Sequence, residues 1–240
     1  MSIIDLLILQ ILAHLLSDYT LQSDKWAQNK IRNGFKSKYQ KWHSLITIVI
    51  SWALSFQWLF IVASVPIAIS HWIIDGYKKD LNNHKKIRKI SFFIDQSLHL
   101  LVILGFTLLF YCFFSIEPYL KLPVNTHWLL IITGYVLCTK PANIFIKEVF
   151  KAYAISIEKE KEGNEDVLNA GRLIGIIERV ITLTLILYGQ FEAVGFIIAG
   201  KSILRYKETD TSKTEYVLIG TLLSFGVAIL IGIAILKFHF

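Results

Sequence analysis

Apolar stretches of bilayer length recur along this 240-residue chain, Leu98–Phe114 and Val217–Leu236 among the clearest. Without water, a run like that satisfies its backbone only as a helix, so the expected fold is an all-α transmembrane bundle. The apolar share of 54% exceeds the roughly 45–50% usual for soluble domains, and the mean hydropathy is +0.53. About eight helices are expected, near 3–20, 43–63, 66–78, 91–114, 127–147, 171–189, 191–206 and 215–237. The third and seventh are short for a full span. Ser64-Val65-Pro66 and Gly189-Gln190 read as tight reversals. The opening "MSIIDLLILQILAHLLSDY" lacks the basic start and cleavage site of a secretory signal, so it reads as a retained first span. The whole of 1–240 reads as one integral membrane domain. Its first half, 1–114, bears the His/Asp pairs described below; its second, 115–240, includes a charged connector at 148–170.

Charge sets the orientation. The formal net charge is +7. Residues 20–42 carry Lys25, Lys30, Arg32, Lys36, Lys38 and Lys41 against Asp24, and residues 78–90 carry Lys78, Lys79, Lys85, Lys86, Arg88 and Lys89 against Asp80. The 115–126 loop has only Lys121 and Glu117. The positive-inside rule puts the two basic segments and the connector in the cytoplasm, and the 115–126 loop and both termini outside, in an inner membrane crossed many times. No soluble face interleaves basic and aromatic residues, so nucleic acid is not an expected partner; the bilayer is. Cys112 and Cys138 belong to no CxxC pair and fall in expected spans, which predicts buried free thiols.

Polar residues inside such spans demand an explanation. "AHLLSD" carries His14 and Asp18, "HWIID" carries His71 and Asp75, "IDQSLH" carries Asp95 and His99, and His43 opens a helix in "KWHSL". Each pair is spaced i,i+4 and so shares one helix face. At about 1.5 Å rise per residue, the predicted topology puts all of them within roughly 10 Å of one depth, near the cytoplasmic side. One such pair near a helix end reads as interfacial. Three pairs and a further His at one depth read as a site, because isolated ionisable groups in lipid are costly. Imidazole and carboxylate are ligands of divalent metals, and no Cys joins the set, which leaves Zn, Mn, Fe or Mg. The set would suit two metals sharing a carboxylate, or one metal with outer partners and a general base.

"ILAHLLSDYTLQ", "KWHSL", "HWIID", "DQSLH", "GRLIGIIER" and "GQFEAVGFIIAGKSILRY" together resemble a bacterial membrane family, domain of unknown function 3307, over nearly the whole chain. The His-Ser-Leu and His-x-x-x-Asp patterns are also similar, over the first half, to bacterial inner-membrane metal-dependent hydrolases. That second resemblance implies hydrolysis by analogy.

"GFIIAGKS", 195–202, matches G-x-x-x-x-G-K-[ST] literally. A P-loop needs a preceding strand and a solvated loop; here the residues belong to a predicted helix, so no nucleotide is expected. Lys201 and Arg205 are expected at the cytoplasmic end of their helix, either snorkelling or binding the anionic part of a substrate. Glu178 needs a partner, with Lys201 and Lys140 the candidates, and Lys140-Pro141 predicts a kink. The leading expectation is a metal-dependent membrane hydrolase whose site opens to the cytoplasmic head-group layer and takes an anionic lipid or phosphoester. The alternatives are a divalent-metal or proton-coupled transporter and a non-catalytic membrane scaffold or partner protein.

Overall fold

The computed structural model describes residues 1–85, 87–120, 125–155, 165–204 and 211–238. The fold is all-α. Helix α1, Ile3–Leu15, starts at a capping box in which the Asp5 amide donates to Ser2 Oγ and the Ser2 amide donates to Asp5 Oδ2. It runs directly into a π-helical turn, Leu16–Thr20. Next come α2 (Asp24–Asn33), α3 (Lys38–Ser55), α4 (Ile61–Asn83) and α5 (Ser91–Phe113). Helices α6 (Thr126–Leu137) and α7 (Lys140–Ala152) are followed by α8 (Glu165–Leu187), α9 (Phe191–Leu204) and α10 (Thr211–Lys237).

Among the described residues there are ten α-helices rather than eight. The 20–42 loop is replaced by α2, which opens on the Ser23 cap and stops at Gly34 with φ +52°. The reversal expected at Ser64–Pro66 is not there. The chain turns at Phe56, in the left-handed region at φ 54°, and α4 runs straight through Pro66. Proline forfeits one donor near a helix start, but its fixed φ fits the helix and the bundle accommodates it. The third helix is therefore not short. By contrast, Gly189 does turn the chain, at φ +72°, and the expected kink at Lys140-Pro141 is a 51° bend between α6 and α7.

Among the described residues, four stretches are long and apolar enough to cross a membrane: Ile3–Thr20, Trp58–Asn83, Ser91–Phe113 and Thr214–Lys237; α6 and α7 qualify together as a bent pair. Helix α3 does not qualify, and its buried residues give the reason. They are Gln40, His43, Thr47, Ser51 and Ser55, all polar.

The chain divides into two compact units, Met1–Leu129 and Leu130–Phe240. In the first, Leu6, Phe60, Ala63, Ile67, Ile103 and Phe110 form an apolar core. In the second, Cys138, Leu183, Ala228 and Ile235 do so. Cys138 is the buried thiol expected, whereas Cys112 is exposed.

Candidate functional site

All seven His and Asp residues of the three pairs and "KWHSL" lie in the first unit, and their side chains converge. Helix α1 supplies His14, and the π turn after it supplies Asp18; π turns widen the helix and recur at functional sites. His43 comes from the second turn of α3, His71 and Asp75 from the middle of α4, and Asp95 and His99 from the first turns of α5. Every one of them is buried except Asp18, whose side chain is 8% exposed.

Asp18 is the focus of one corner. Its Oδ1 accepts a hydrogen bond from His71 Nε2 at 2.9 Å, with His43 Nε2 at 3.3 Å and His14 Nδ1 at 3.7 Å. Asp75 is the focus of the next. His71 Nδ1 faces its Oδ2 at 3.5 Å, and His43 Nε2 lies 3.8 Å from the same atom. The His71 and His99 rings stack at 3.9 Å, and His14 packs against both. Three sets of ligand-capable atoms come within 4.8 Å of one another: His14–Asp18–His71, His43–His71–Asp75 and Asp75–Asp95–His99.

Two lysines complete the layer, and sequence reasoning assigned both to loops. Lys30, on α2, is buried and donates to Asp75 Oδ2. Lys78 donates to Asp95 Oδ2 at 2.7 Å and lies 3.7 Å from Asp75 Oδ1. A signal existed for Lys78, which follows Asp75 at i+3 on the same helix face. None existed for Lys30, since its place depends on how α2 folds back over α4. Gly34 and Gly76 permit that close approach. A Cβ at Gly76 would lie 2.1 Å from the Phe35 ring, and one at Gly34 would meet the Gly76 carbonyl at 2.8 Å.

The lysines sort the carboxylates. Asp75 and Asp95 each face an ammonium, while Asp18 is approached by imidazoles and the Ser17 hydroxyl among the described residues. Three carboxylates against two ammoniums leave one negative charge at Asp18 when the imidazoles are neutral. In a low-dielectric interior such a charge calls for a cation.

Hydrogen-bond chemistry makes the same point at His14. Gln96 Nε2 donates to Asp95 Oδ2 at 3.0 Å, which orients the amide and leaves Oε1 toward Tyr19 and His14. His14 Nε2 therefore donates to that oxygen, at 3.2 Å. A neutral His14 then has its lone pair on Nδ1, 3.7 Å from a carboxylate oxygen and without a hydrogen-bond partner. Two acceptors facing one another in a buried site suit a shared metal ion. Both nitrogens of His43 and of His99 likewise make no hydrogen bond.

The remaining candidates lie in the second unit. Lys201 donates to Glu178 Oε2 at 2.5 Å, so Glu178 has the first of its two expected partners, and Lys140 opens α7. Arg205 falls outside the described residues, as does Lys86. The stretch 195–202 lies wholly within α9, a continuous helix without a phosphate loop. Arg179, adjacent to Glu178, is buried and caps the broken α6–α7 pair, donating to the Cys138 carbonyl at 2.7 Å and to Asn143 Oδ1 at 2.6 Å.

Residues 6–131 match the family described as "Protein of unknown function (DUF3307)". The chain belongs to this family. The matched stretch is nearly coextensive with the first compact unit and contains every residue of the His/Asp layer. It does not reach "GRLIGIIER" or "GQFEAVGFIIAGKSILRY", so the family likeness covers about the first half of the chain and not nearly all of it. No curated protein and no solved structure matches the chain.

Proposed function

We propose that this member of the family is a multi-pass bacterial inner-membrane protein with both termini outside and 20–42 and 78–90 cytoplasmic. In it, Asp18 with His14, His43 and His71 holds one divalent metal ion at the heart of a hydrolase. The observation that carries the metal reading is the Asp18 corner: three imidazoles around the one carboxylate of the layer that no lysine among the described residues faces. Three His and one Asp favour Zn among Zn, Mn, Fe and Mg. Outer partners support the ligands as metal sites require: Gln96 orients His14, and Asp75 faces Nδ1 of His71. A proton on Nδ1 would leave the His71 Nε2 lone pair free for the ion.

Bound there, the ion would lower the pKa of a water and polarise a scissile bond. With that one ion bound, His99 is the base we assign, since its nitrogens are free of hydrogen bonds and its ring lies against His71. Lys78, whose side chain is 19% exposed, and the basic segments at this end suit an anionic lipid or phosphoester. In this reading Lys78 takes the anion-binding role expected of Lys201 and Arg205. The test is metal content together with hydrolysis of anionic-lipid vesicles by the purified protein. Asp18→Ala should abolish both, and hydrolysis that survives complete chelation of metal ends the proposal.

A second reading, a cation or proton transporter, draws on the polar interior. Gln10 Nε2 donates to the Ser51 carbonyl at 3.0 Å and Ser51 Oγ donates to Gln10 Oε1 at 2.6 Å. Beside them lies a cavity of about 10 Å³ that His14, His71 and Thr47 also line. Metal- or proton-driven flux into sealed vesicles, absent in Ser51→Val, would favour this reading over hydrolysis.

A further inference from the structure

The Asp75–Asp95–His99 corner differs from the Asp18 corner in already containing a cation. Lys78 Nζ lies 2.7 Å from Asp95 Oδ2 and 3.7 Å from Asp75 Oδ1. His99 is 1% exposed, yet neither ring nitrogen makes a hydrogen bond, and its Nδ1 lies 3.9 Å from Asp95 Oδ2. Asp95 Oδ1 is likewise buried without a hydrogen-bond partner. With Lys30 on Asp75, the Lys78 ammonium answers the charge of Asp95 and leaves the imidazole lone pair and one Asp95 oxygen unused. A divalent cation in the same place would use the donors of all three residues.

We propose that Asp75, Asp95 and His99 form a second divalent-cation site, held here by the Lys78 ammonium, and that an ion enters by displacing it. Exposure decides which lysine can leave. The Lys78 side chain is 19% exposed and that of Lys30 only 3%. Lys78 sits toward the end of α4 on a flexible four-carbon stem, so its head can swing outward, whereas Lys30 is trapped beneath α2. Asp75 links the two corners. Its Oδ2 faces His43, His71 and Lys30, while its Oδ1 faces Lys78. Asp75 thus ties the corners together, as outer partner of His71 in the first and ligand of the second, and an ion in each would make a two-ion centre. The two-ion consequence rests on reading the Asp18 corner as a metal centre; the second site stands on its own geometry.

The experiment uses the full chain in detergent, stripped with chelator, dialysed against Mn2+ or Zn2+ and measured for bound metal. Under conditions that load the wild type with about one ion, Lys78→Met should hold about two, and Lys78→Met with Asp95→Asn should return to about one. A folded Lys78→Met that holds no more metal than the wild type overturns the proposal. Should Lys78→Met not fold, the native protein supplies the measurement. Acylation of Lys78 by a succinimidyl ester, mapped by mass spectrometry, should rise severalfold with excess Mn2+, and an unchanged yield overturns the proposal. A wild type that binds no ion under the loading conditions ends the Asp18 reading alone; Lys78→Met must then still gain about one ion, or this proposal falls as well.

Discussion

Asp18 and Asp75 share His43 and His71 as neighbours, but among the described residues only Asp75 of the two also faces ammoniums, those of Lys30 and Lys78. The difference predicts different mutants. Asp18→Ala and His71→Ala should each lose the tightly bound metal, because a ligand bond disappears that no neighbour can replace. Asp75→Asn should weaken affinity by about 10–100-fold without emptying the site, as removal of an outer partner does. Metal stoichiometry across the three variants checks this, and equal metal content in all of them refutes it. Stability should follow another pattern. Asp75→Ala strands the buried Lys30 and should cost about 3–5 kcal/mol, read as a lowered melting temperature. Combining Lys30→Met with Asp75→Leu should melt above either single change, since no lone charge is left behind.

Helix α2 is the element that turns a set of pairs into a closed layer. It carries Lys30 to Asp75, and it can do so because Gly34 turns at φ +52° and the Phe35 ring lies where a Cβ at residue 76 would be in the way. Gly34→Ala adds a strained backbone to a clash with the Gly76 carbonyl, and Gly76→Ala pushes directly on the Phe35 ring. Each should destabilise by about 1–3 kcal/mol and raise proteolysis within 20–36. Undiminished protease resistance in both would show that α2 is not held in this way. Helix α3 makes a complementary point. Its buried face is Gln40, His43, Thr47, Ser51 and Ser55, with Gln40 Nε2 donating to the Trp72 carbonyl at 2.5 Å. Its apolar residues instead include Leu45 and Val49, both exposed, so the helix has its polar side inward.

At the scale of the molecule, the family match and the first compact unit have nearly the same bounds, and the whole layer falls inside both. A fragment of residues 1–131 is therefore expected to bind metal with the stoichiometry of the full chain; a fragment that folds yet binds none would place a needed ligand in the second unit. Arg179→Met in the second unit should lower the melting temperature, because four carbonyl and side-chain oxygens lose their donor, and leave metal content unchanged. Orientation has its own check. Reporters fused after Lys36 and after Lys85 should report the same side of the membrane, and opposite sides would refute the proposed topology.

Helix type, most of the long apolar helices and the convergence of seven polar residues were legible in the sequence, because each rests on local information. Apolar length requires helix, and i,i+4 spacing puts two residues on one face. Hydropathy misplaces ends where burial is polar: the helix expected near 43–63 runs from Lys38 to Ser55, because Gln40 and His43 on its inward face carry no apolar signal at its start. Proline at 66 looked like a turn because its cost is local, while the bundle that absorbs that cost is not. What only the tertiary structure decided is the charge of the site. Lys30 and Asp75 are 45 residues apart, and no spacing rule joins them. Their pairing follows from α2 folding across α4, and through it from Gly34 and Gly76. That contact separates a carboxylate already neutralised from Asp18, the one left to its imidazoles.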